Sequence, residues 1–99
     1  MRYIELVELG GKSYYFNLNL FSSIHLDKKI NLEGAFNYIV FIALTGVDRH
    51  IPVNITPVSL ENAKRLQHKF LQLLDNENVK IISINPTNGG KVYEDVCFK

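Results

Sequence analysis

The chain has 99 residues, of which 46% are hydrophobic and 21% are charged, and its net charge is +1. This length supports one domain over residues 1–99, because two separate cores would each bury too little surface to be stable. The composition excludes a disordered chain, and the balanced charge argues against a protein whose whole surface attracts nucleic acid or anionic lipid.

The cysteine content and the apolar runs bear on the cellular compartment. Cys97 is the only cysteine of the sequence, so no internal disulfide forms, which is usual in a reducing compartment. Glu5 and Glu8 interrupt the N-terminal apolar segment, which therefore lacks the pattern of a signal peptide. The longest apolar run, residues 38–44, is too short to cross a bilayer. We expect a cytoplasmic protein with no membrane contact.

Two strands are predicted at the start of the chain, over residues 3–9 and 12–20. A glycine pair at residues 10–11 separates them, which is typical of a two-residue hairpin turn. Such a turn places Val7 opposite Tyr14, and opposed residues share one face. The face that we expect to join the core carries Tyr3, Val7, Leu9, Tyr14, Phe16 and Leu18, with Glu5 and Lys12 as its polar members.

The opposite face of this predicted hairpin mixes apolar and polar side chains. Ile4, Leu6 and Tyr15 lie there among polar residues, and Phe21 extends the same side. A tyrosine suits a contact with another chain, because it supplies a large apolar area and a hydroxyl that tolerates partial solvation. We predict that Ile4, Leu6, Tyr15 and Phe21 form a protein interface.

Two further strands are predicted in the middle of the chain. The weaker one covers residues 22–26 and ends at a polar turn, residues 27–29, while the other covers residues 36–45 and is the most hydrophobic stretch of the sequence. The second strand is apolar on both sides, with Val40 on one side and Phe41 on the other, and such a strand is usually covered on both sides. Either the sheet curls so that it packs on itself, or another chain covers the second face.

A half-exposed strand and one helix follow. Alternating apolar residues predict the strand at residues 51–55, and Pro52 places it at an edge or a bulge. The helix is predicted over residues 59–75, because Ser59 is a suitable N-cap and apolar residues recur at helical spacing after it. An asparagine just beyond the helix is expected to close it in the left-handed conformation.

The order of these elements predicts the fold class. The last two strands, residues 79–84 and 92–98, flank a glycine-containing loop and form a C-terminal hairpin. We expect a single-domain α+β fold, with a largely antiparallel, twisted or curled sheet of about six to seven strands and one helix packed on it.

No arrangement of residues in the sequence points to a catalytic or metal site. His25, His50 and His68 are scattered and Cys97 has no near partner, whereas metal ligands must converge. The glycine pairs lead into strands rather than into a helix N-terminus that could hold a phosphate. The sequence contains no nucleophile elbow of the G-x-S-x-G type. We expect no metal, no cofactor and no enzymatic activity.

The predicted helix carries a cluster of basic residues opposite its apolar side. Lys64, Arg65, His68 and Lys69 lie there, and only Arg65 has a carboxylate, Glu61, at a distance of four residues. A basic helix face beside exposed aromatic residues can hold a nucleic-acid backbone. An ordinary solvated face explains the same pattern, since helices favour acidic residues early and basic residues late.

These observations favour a small non-enzymatic interaction or regulatory protein that acts through its surface and self-associates as a homodimer. The alternative is a nucleic-acid-binding module that uses the basic helix face. An enzyme whose site is assembled from distant residues is the third interpretation.

Overall fold

A computed structural model of the chain describes residues 1–95. Within this range there are seven β-strands, one α-helix and one short 3-10 helix, so the predicted α+β class is confirmed. The strands are β1 (Tyr3–Val7), β2 (Ser13–Asn17), β3 (Phe21–Ile30), β4 (Phe36–Leu44), β5 (Ile51–Pro52), β6 (Ile81–Asn85) and β7 (Lys91–Glu94), the α-helix is α1 (Leu60–Leu74), and the 3-10 helix is Leu18–Leu20.

The strands divide between two sheets. One has four strands in the order β2-β1-β6-β7, and the other has three in the order β3-β4-β5. All pairs are antiparallel except β1 and β6, which run parallel. The inner faces of both sheets and α1 enclose one core, whose buried side chains include Ile4, Ile82, Ile84, Val92, Val40, Ile42, Leu44, Ala63, Phe70 and Leu73.

The turn between β1 and β2 corrects the predicted hairpin. The Glu8 N–H donates to the Lys12 carbonyl at 2.7 Å, so the loop has three residues, of which Gly10 and Gly11 have positive φ angles of 95° and 85°. Glu5 therefore pairs with Tyr15 rather than with Phe16. A shift of one residue moves every side chain to the other face. The shift inverts β1 relative to β2, so the predicted core face is wrong for β1, where Ile4 rather than Tyr3 lies in the core. Phe16 and Leu18 lie on the core side, as predicted.

The third predicted strand is longer than expected. β3 continues through residues 27–29, which were predicted as a turn, and the chain reverses at Asn31–Ala35 instead. The Asn31 side chain accepts hydrogen bonds from the main-chain N–H groups of Glu33 and Ala35, and a local bond of this type is what makes asparagine a turn residue. The predicted turn carried charge but no such residue.

β4 is covered on only one side. Val40, Ile42 and Leu44 lie in the core, whereas Phe41 lies half-buried on the outer face. The predicted strand at residues 51–55 shortens to Ile51–Pro52. Beyond it, the side chain of Asn54, rather than a continuing strand, makes hydrogen bonds to the main chain of β4. The buried Asn54 side chain accepts from the Val40 N–H at 2.8 Å and donates to the Tyr38 carbonyl at 3.1 Å.

The helix confirms the predicted boundaries. The Ser59 hydroxyl accepts a hydrogen bond from the Asn62 N–H at 3.2 Å, as an N-cap does. The predicted left-handed asparagine at the other end is wrong, since Asp75 closes the helix in a right-handed conformation. Its last carbonyls are satisfied instead by the Arg2 guanidinium, which donates to the carbonyls of Leu73, Leu74, Asn76 and Val79 at 2.7–3.0 Å.

The C-terminal hairpin is formed by β6 and β7. β6 starts two residues later than predicted and β7 one residue earlier, while residues 96–98 of the predicted last strand, and Cys97 with them, lie outside the described residues. α1 is the α-helix of the described range, and neither its length nor its polarity suits a membrane span.

Candidate functional site

The four residues predicted to form one protein interface lie in different surroundings. Ile4 is fully buried in the core and Leu6 packs against the core. The Phe21 ring packs at a tilt against that of Phe70, with ring centroids 5.2 Å apart. Tyr15 alone is largely exposed, at 56%. The structure does not bring the four residues to one surface, because the hairpin register turns Ile4 and Leu6 toward the core. Of the four, Tyr15 is the residue that offers a surface contact.

Tyr15 belongs to a surface that the structure assembles from three distant segments. Strand pairing places Tyr3, Tyr15, Tyr93 and Ile81 on the outer face of the four-stranded sheet, and we call these four residues the tyrosine face. Tyr3 and Tyr15 are exposed, while Tyr93 and Ile81 are half-buried. Beside Tyr3 and Tyr15 the surface forms an open depression of about 650 Å³.

A buried glutamate lies beneath the tyrosine face. Glu5 is 5% exposed and occupies the row of the sheet that runs from Tyr15 through Ser83 to Tyr93. The Tyr15 hydroxyl donates to Glu5 Oε2 at 2.8 Å, and the Ser83 hydroxyl donates to Oε1 at 2.5 Å. Neither of the two ion pairs found among residues 1–95 includes Glu5. Hydroxyl groups therefore take the place of a cation in stabilising this carboxylate.

Two opposing effects set the pKa of Glu5. Burial, the largest single effect, raises the pKa of this carboxyl, whereas hydrogen bonds, first among them those with the Ser83 and Tyr15 hydroxyls, lower it. Together the hydrogen bonds outweigh burial, and the pKa of Glu5 lies below its usual value of 4.5. Glu5 is therefore ionised at neutral pH.

The neighbouring tyrosines are held in the protonated form. The hydrogen bond to Glu5 raises the pKa of the Tyr15 hydroxyl above its usual value of 10.0. Burial raises the pKa of Tyr93, and the negative charges of Glu5 and Asp95 raise it further. Both hydroxyls therefore stay donors over the physiological pH range.

This network suits the positioning of side chains better than proton transfer. A general base works best when its pKa lies near the operating pH, and that of Glu5 is displaced in the opposite direction. Ser83 is fully buried, so its hydroxyl cannot reach a substrate. The network holds Tyr15 against the sheet and fixes the geometry of the tyrosine face.

The basic residues predicted on the helix lie where the sequence placed them. Lys64, Arg65, His68 and Lys69 are all exposed, and Arg65 pairs with Glu61 at 2.8 Å. A groove of about 440 Å³ runs between α1 and the β6–β7 loop. Its lining includes Arg65 and Lys69 from the helix. Lys91 of β7 also borders the groove, but its ammonium lies 4.8 Å from the centroid of the Tyr93 ring, on the outer face of the sheet.

Two histidines that the sequence left apart meet on the outer face of the three-stranded sheet. The rings of His25 and His50 lie edge to face with centroids 4.7 Å apart, and His25 stacks on Phe41 at 5.6 Å. Residues 1–95 contain no group of three or more histidine, cysteine or acidic side chains that could hold a metal ion. The geometry of the pair is that of ring packing.

A separate cleft of about 370 Å³ lies between the β1–β2 loop and β5. Its apolar lining includes Leu6, Leu9 and Pro52, and Glu8 and Arg49 bring opposite charges to it. This mixture favours no particular class of ligand. The cleft also lies apart from Glu5 and the tyrosine face.

Sequence reasoning missed Glu5, Ser83 and Tyr93 as members of one site. A signal was present, because Ser83 interrupts an otherwise apolar strand, and a buried hydroxyl needs a partner. The identity of that partner depends on the parallel pairing of β1 with β6, which no local pattern reveals.

Comparison of the chain with protein-family models, with curated proteins and with solved structures finds no match.

Proposed function

We propose that the chain is a small, non-enzymatic interaction or regulatory protein of the cytoplasm, which binds other protein chains, including a second copy of itself. The observation that carries this proposal is the tyrosine face with its buried glutamate. The geometry offers a contact surface in which hydrogen bonds hold an exposed tyrosine, and tyrosine is enriched at protein interfaces.

Tyrosine is suited to such a surface for energetic reasons. It buries a large ring at a small cost in side-chain entropy and keeps a hydroxyl for hydrogen bonding. Tyr15 is already oriented by Glu5, so binding loses less conformational freedom there than at an unrestrained side chain. These properties support a protein partner on this side of the sheet.

The same surface is poorly suited to nucleic acid. Exposed aromatic rings on a sheet can stack with bases, but the sites that do so combine the rings with positive charge along the phosphate backbone. Here Glu5 brings a negative charge beneath the rings. One cation also lies beside the rings, since the Lys91 ammonium is 4.8 Å from the centroid of the Tyr93 ring. Repulsion between the buried Glu5 carboxylate and phosphate groups opposes its effect and favours the protein partner.

Substitution of two neighbouring tyrosines tests the proposal. Tyr15 and Tyr14 are both exposed on β2 but point to opposite faces, so Tyr14→Glu is a matched control for Tyr15→Glu. We expect both variants to keep the circular dichroism spectrum of the unsubstituted chain. Affinity purification from cells that express the tagged protein should recover the same partner with the unsubstituted chain and Tyr14→Glu, and lose it with Tyr15→Glu. Equal recovery with all three proteins contradicts the proposal.

A second candidate function, nucleic-acid binding, is favoured by the groove beside α1. Arg65 and Lys69 line this groove, and several cations in one groove can follow a phosphate backbone. If the groove binds nucleic acid, replacing Lys64, Arg65 and Lys69 by alanine should reduce the log–log salt slope of binding by about two to three. Lys12→Ala and Lys80→Ala, which remove cations outside this groove, serve as controls. Absence of binding by the unsubstituted chain at physiological salt rejects this candidate.

A further inference from the structure

β3 forms the longest edge of the molecule. It has ten residues, whereas the edge strands of the four-stranded sheet, β2 and β7, have five and four. One side of β3 pairs with β4 over its full length, and a bulge between Phe21 and Ser23 interrupts only its start. An edge of this length is a template for pairing with a further strand.

The direction of the main-chain groups of β3 follows from the hydrogen bonds of β4. Tyr38 and Val40 use their N–H and carbonyl groups on the side away from β3, toward Val58, Val53 and the Asn54 side chain. In an antiparallel ladder the residues opposite such positions also turn their main-chain groups outward. The partners of Tyr38 and Val40 on β3 are Lys28 and Leu26.

Alternation extends this arrangement to Ile24 and Ile30, because every second residue of a strand faces the same way. Among residues 1–95, no side chain or second strand satisfies the outward N–H and carbonyl groups of Ile24, Leu26, Lys28 or Ile30. Four residues of unpaired main chain therefore lie along one straight edge.

The lysines of β3 do not block this edge. Lysine often protects an exposed strand from pairing by placing its charge in the path of an approaching chain. Here the Lys28 ammonium lies 4.4 Å from the centroid of the Phe36 ring, and the Lys29 ammonium pairs with Asp27 at 3.0 Å. Both charges are directed toward neighbours in their own sheet.

We propose that a second copy of this chain pairs with β3 through its own β3, antiparallel about a two-fold axis at Leu26. This inference rests on the self-association included in the proposed function, and it assigns that contact to the β3 edge rather than to the tyrosine face. Pairing of residues 23–29 of each copy forms about six backbone hydrogen bonds between outward-facing groups. It joins the two three-stranded sheets into one continuous sheet.

Charge favours this register over those with the axis at Asp27 or at Lys28. With Leu26 on the axis, each His25 lies opposite the Asp27 of the other copy, and each Ser23 lies opposite Lys29. A shift that places Asp27 on the axis opposes two carboxylates, and a shift that places Lys28 there opposes two ammonium groups. Like charges directly opposite one another destabilise a strand pair. The Leu26 register also brings two apolar side chains together at the centre.

Sedimentation velocity on the purified chain, from about 5 µM to about 500 µM, tests the proposal by measuring dimer dissociation. Asp27→Lys removes the cross-strand partner of His25, and we expect dissociation constants raised at least about tenfold. The double variant Asp27→Lys/His25→Asp places opposite charges across the axis and should return the constant to within about threefold of the original. Lys28→Pro removes an N–H that has no partner within the monomer, so it should weaken the dimer and keep the fold.

Tyr15→Glu is the control that separates the two surfaces. Loss of the dimer in Asp27→Lys, its return in the double variant, and an unchanged dimer in Tyr15→Glu support pairing at β3. An unchanged dimer dissociation constant in Asp27→Lys overturns the β3 pairing. If Tyr15→Glu then raises that constant, the two copies meet at the tyrosine face and the proposed function stands. A chain that stays monomeric over the whole concentration range overturns both the β3 pairing and self-association. Binding of a different protein through Tyr15 is then decided by the affinity purification alone.

Discussion

Glu5 shows how a carboxylate can be buried on the outer face of a sheet. Its two oxygens accept hydrogen bonds from the hydroxyls of Tyr15 and Ser83, and each donor comes from a strand adjacent to β1. The donors replace water, so the carboxyl stays ionised despite burial. The same bonds orient Tyr15. The orientation of Tyr15 at the surface thus depends on the ionised form of Glu5 beneath it.

The lowered pKa of Glu5 makes a prediction about acid stability. Because its pKa is lower in the folded chain than in the unfolded chain, ionised Glu5 stabilises the fold above about pH 4.5, and this contribution is lost as the pH falls through the folded value. Replacement by glutamine removes the ionisable group and a charged acceptor, which should cost about 1–3 kcal/mol at neutral pH. Urea unfolding at a series of pH values should therefore show the free energy of unfolding of Glu5→Gln falling less steeply below pH 4.5 than that of the unsubstituted chain.

Glu33→Gln provides the comparison for this experiment, since Glu33 is exposed in the β3–β4 turn. It should keep the acid dependence of the unsubstituted chain. The same pH slope in Glu5→Gln and in the unsubstituted chain would show that Glu5 is not held ionised by the network.

At the scale of elements, α1 depends on a residue far from it in the chain. The last turn of the helix contains no basic residue, although a cation there would be favourable. Arg2 supplies the charge from the start of the chain, and its planar guanidinium reaches four carbonyls at once. The contact joins the N-terminus of β1 to the junction between α1 and β6.

Replacement of Arg2 tests this long-range cap. Arg2→Met keeps an unbranched apolar stem but leaves the carbonyls without a donor, and we expect a loss of about 2–4 kcal/mol in the free energy of unfolding. Arg2→Lys should recover only part of this, because an ammonium group cannot match the fork of a guanidinium. Arg49→Met, in an exposed loop, is the matched control. A urea midpoint for Arg2→Met equal to that of Arg49→Met would exclude the cap as a source of stability.

Local patterns predicted the elements whose determinants lie close together in the chain. Ser59 and the spacing of apolar residues after it located α1 to within one residue at each end. The hairpin register failed by a single residue, since two or three loop residues fit the same glycine pair. That residue decided whether Ile4 or Glu5 of β1 faced the core. Turn chemistry at Asn31 was available in the sequence but was overlooked in favour of the charged residues before it.

At the scale of the whole molecule, the candidate site could not be predicted, because it is assembled from both ends of the chain. Glu5 and Ser83 are 78 residues apart, and they meet only because β1 lies between β2 and β6. Alternating apolar residues predict that a segment forms a strand, but they do not predict which strand pairs with it. The division into two sheets was hidden for the same reason, and with it the outer face that carries the tyrosines.

The position of β1 between an early strand and a late one has a consequence for biosynthesis. β2 is made directly after β1, but β6 follows only after residue 80, and its contacts with β1 are among the most distant in the chain. A nascent chain therefore carries one open edge of β1 and the uncovered side chains of Ile4 and Phe16 throughout most of its translation. Long-range pairing of this kind closes slowly, and exposed edges recruit chaperones or aggregate in the interval. A product terminated before residue 81 lacks the strand that completes the core. Such a product would remain unfolded and would be a substrate for chaperones and proteases.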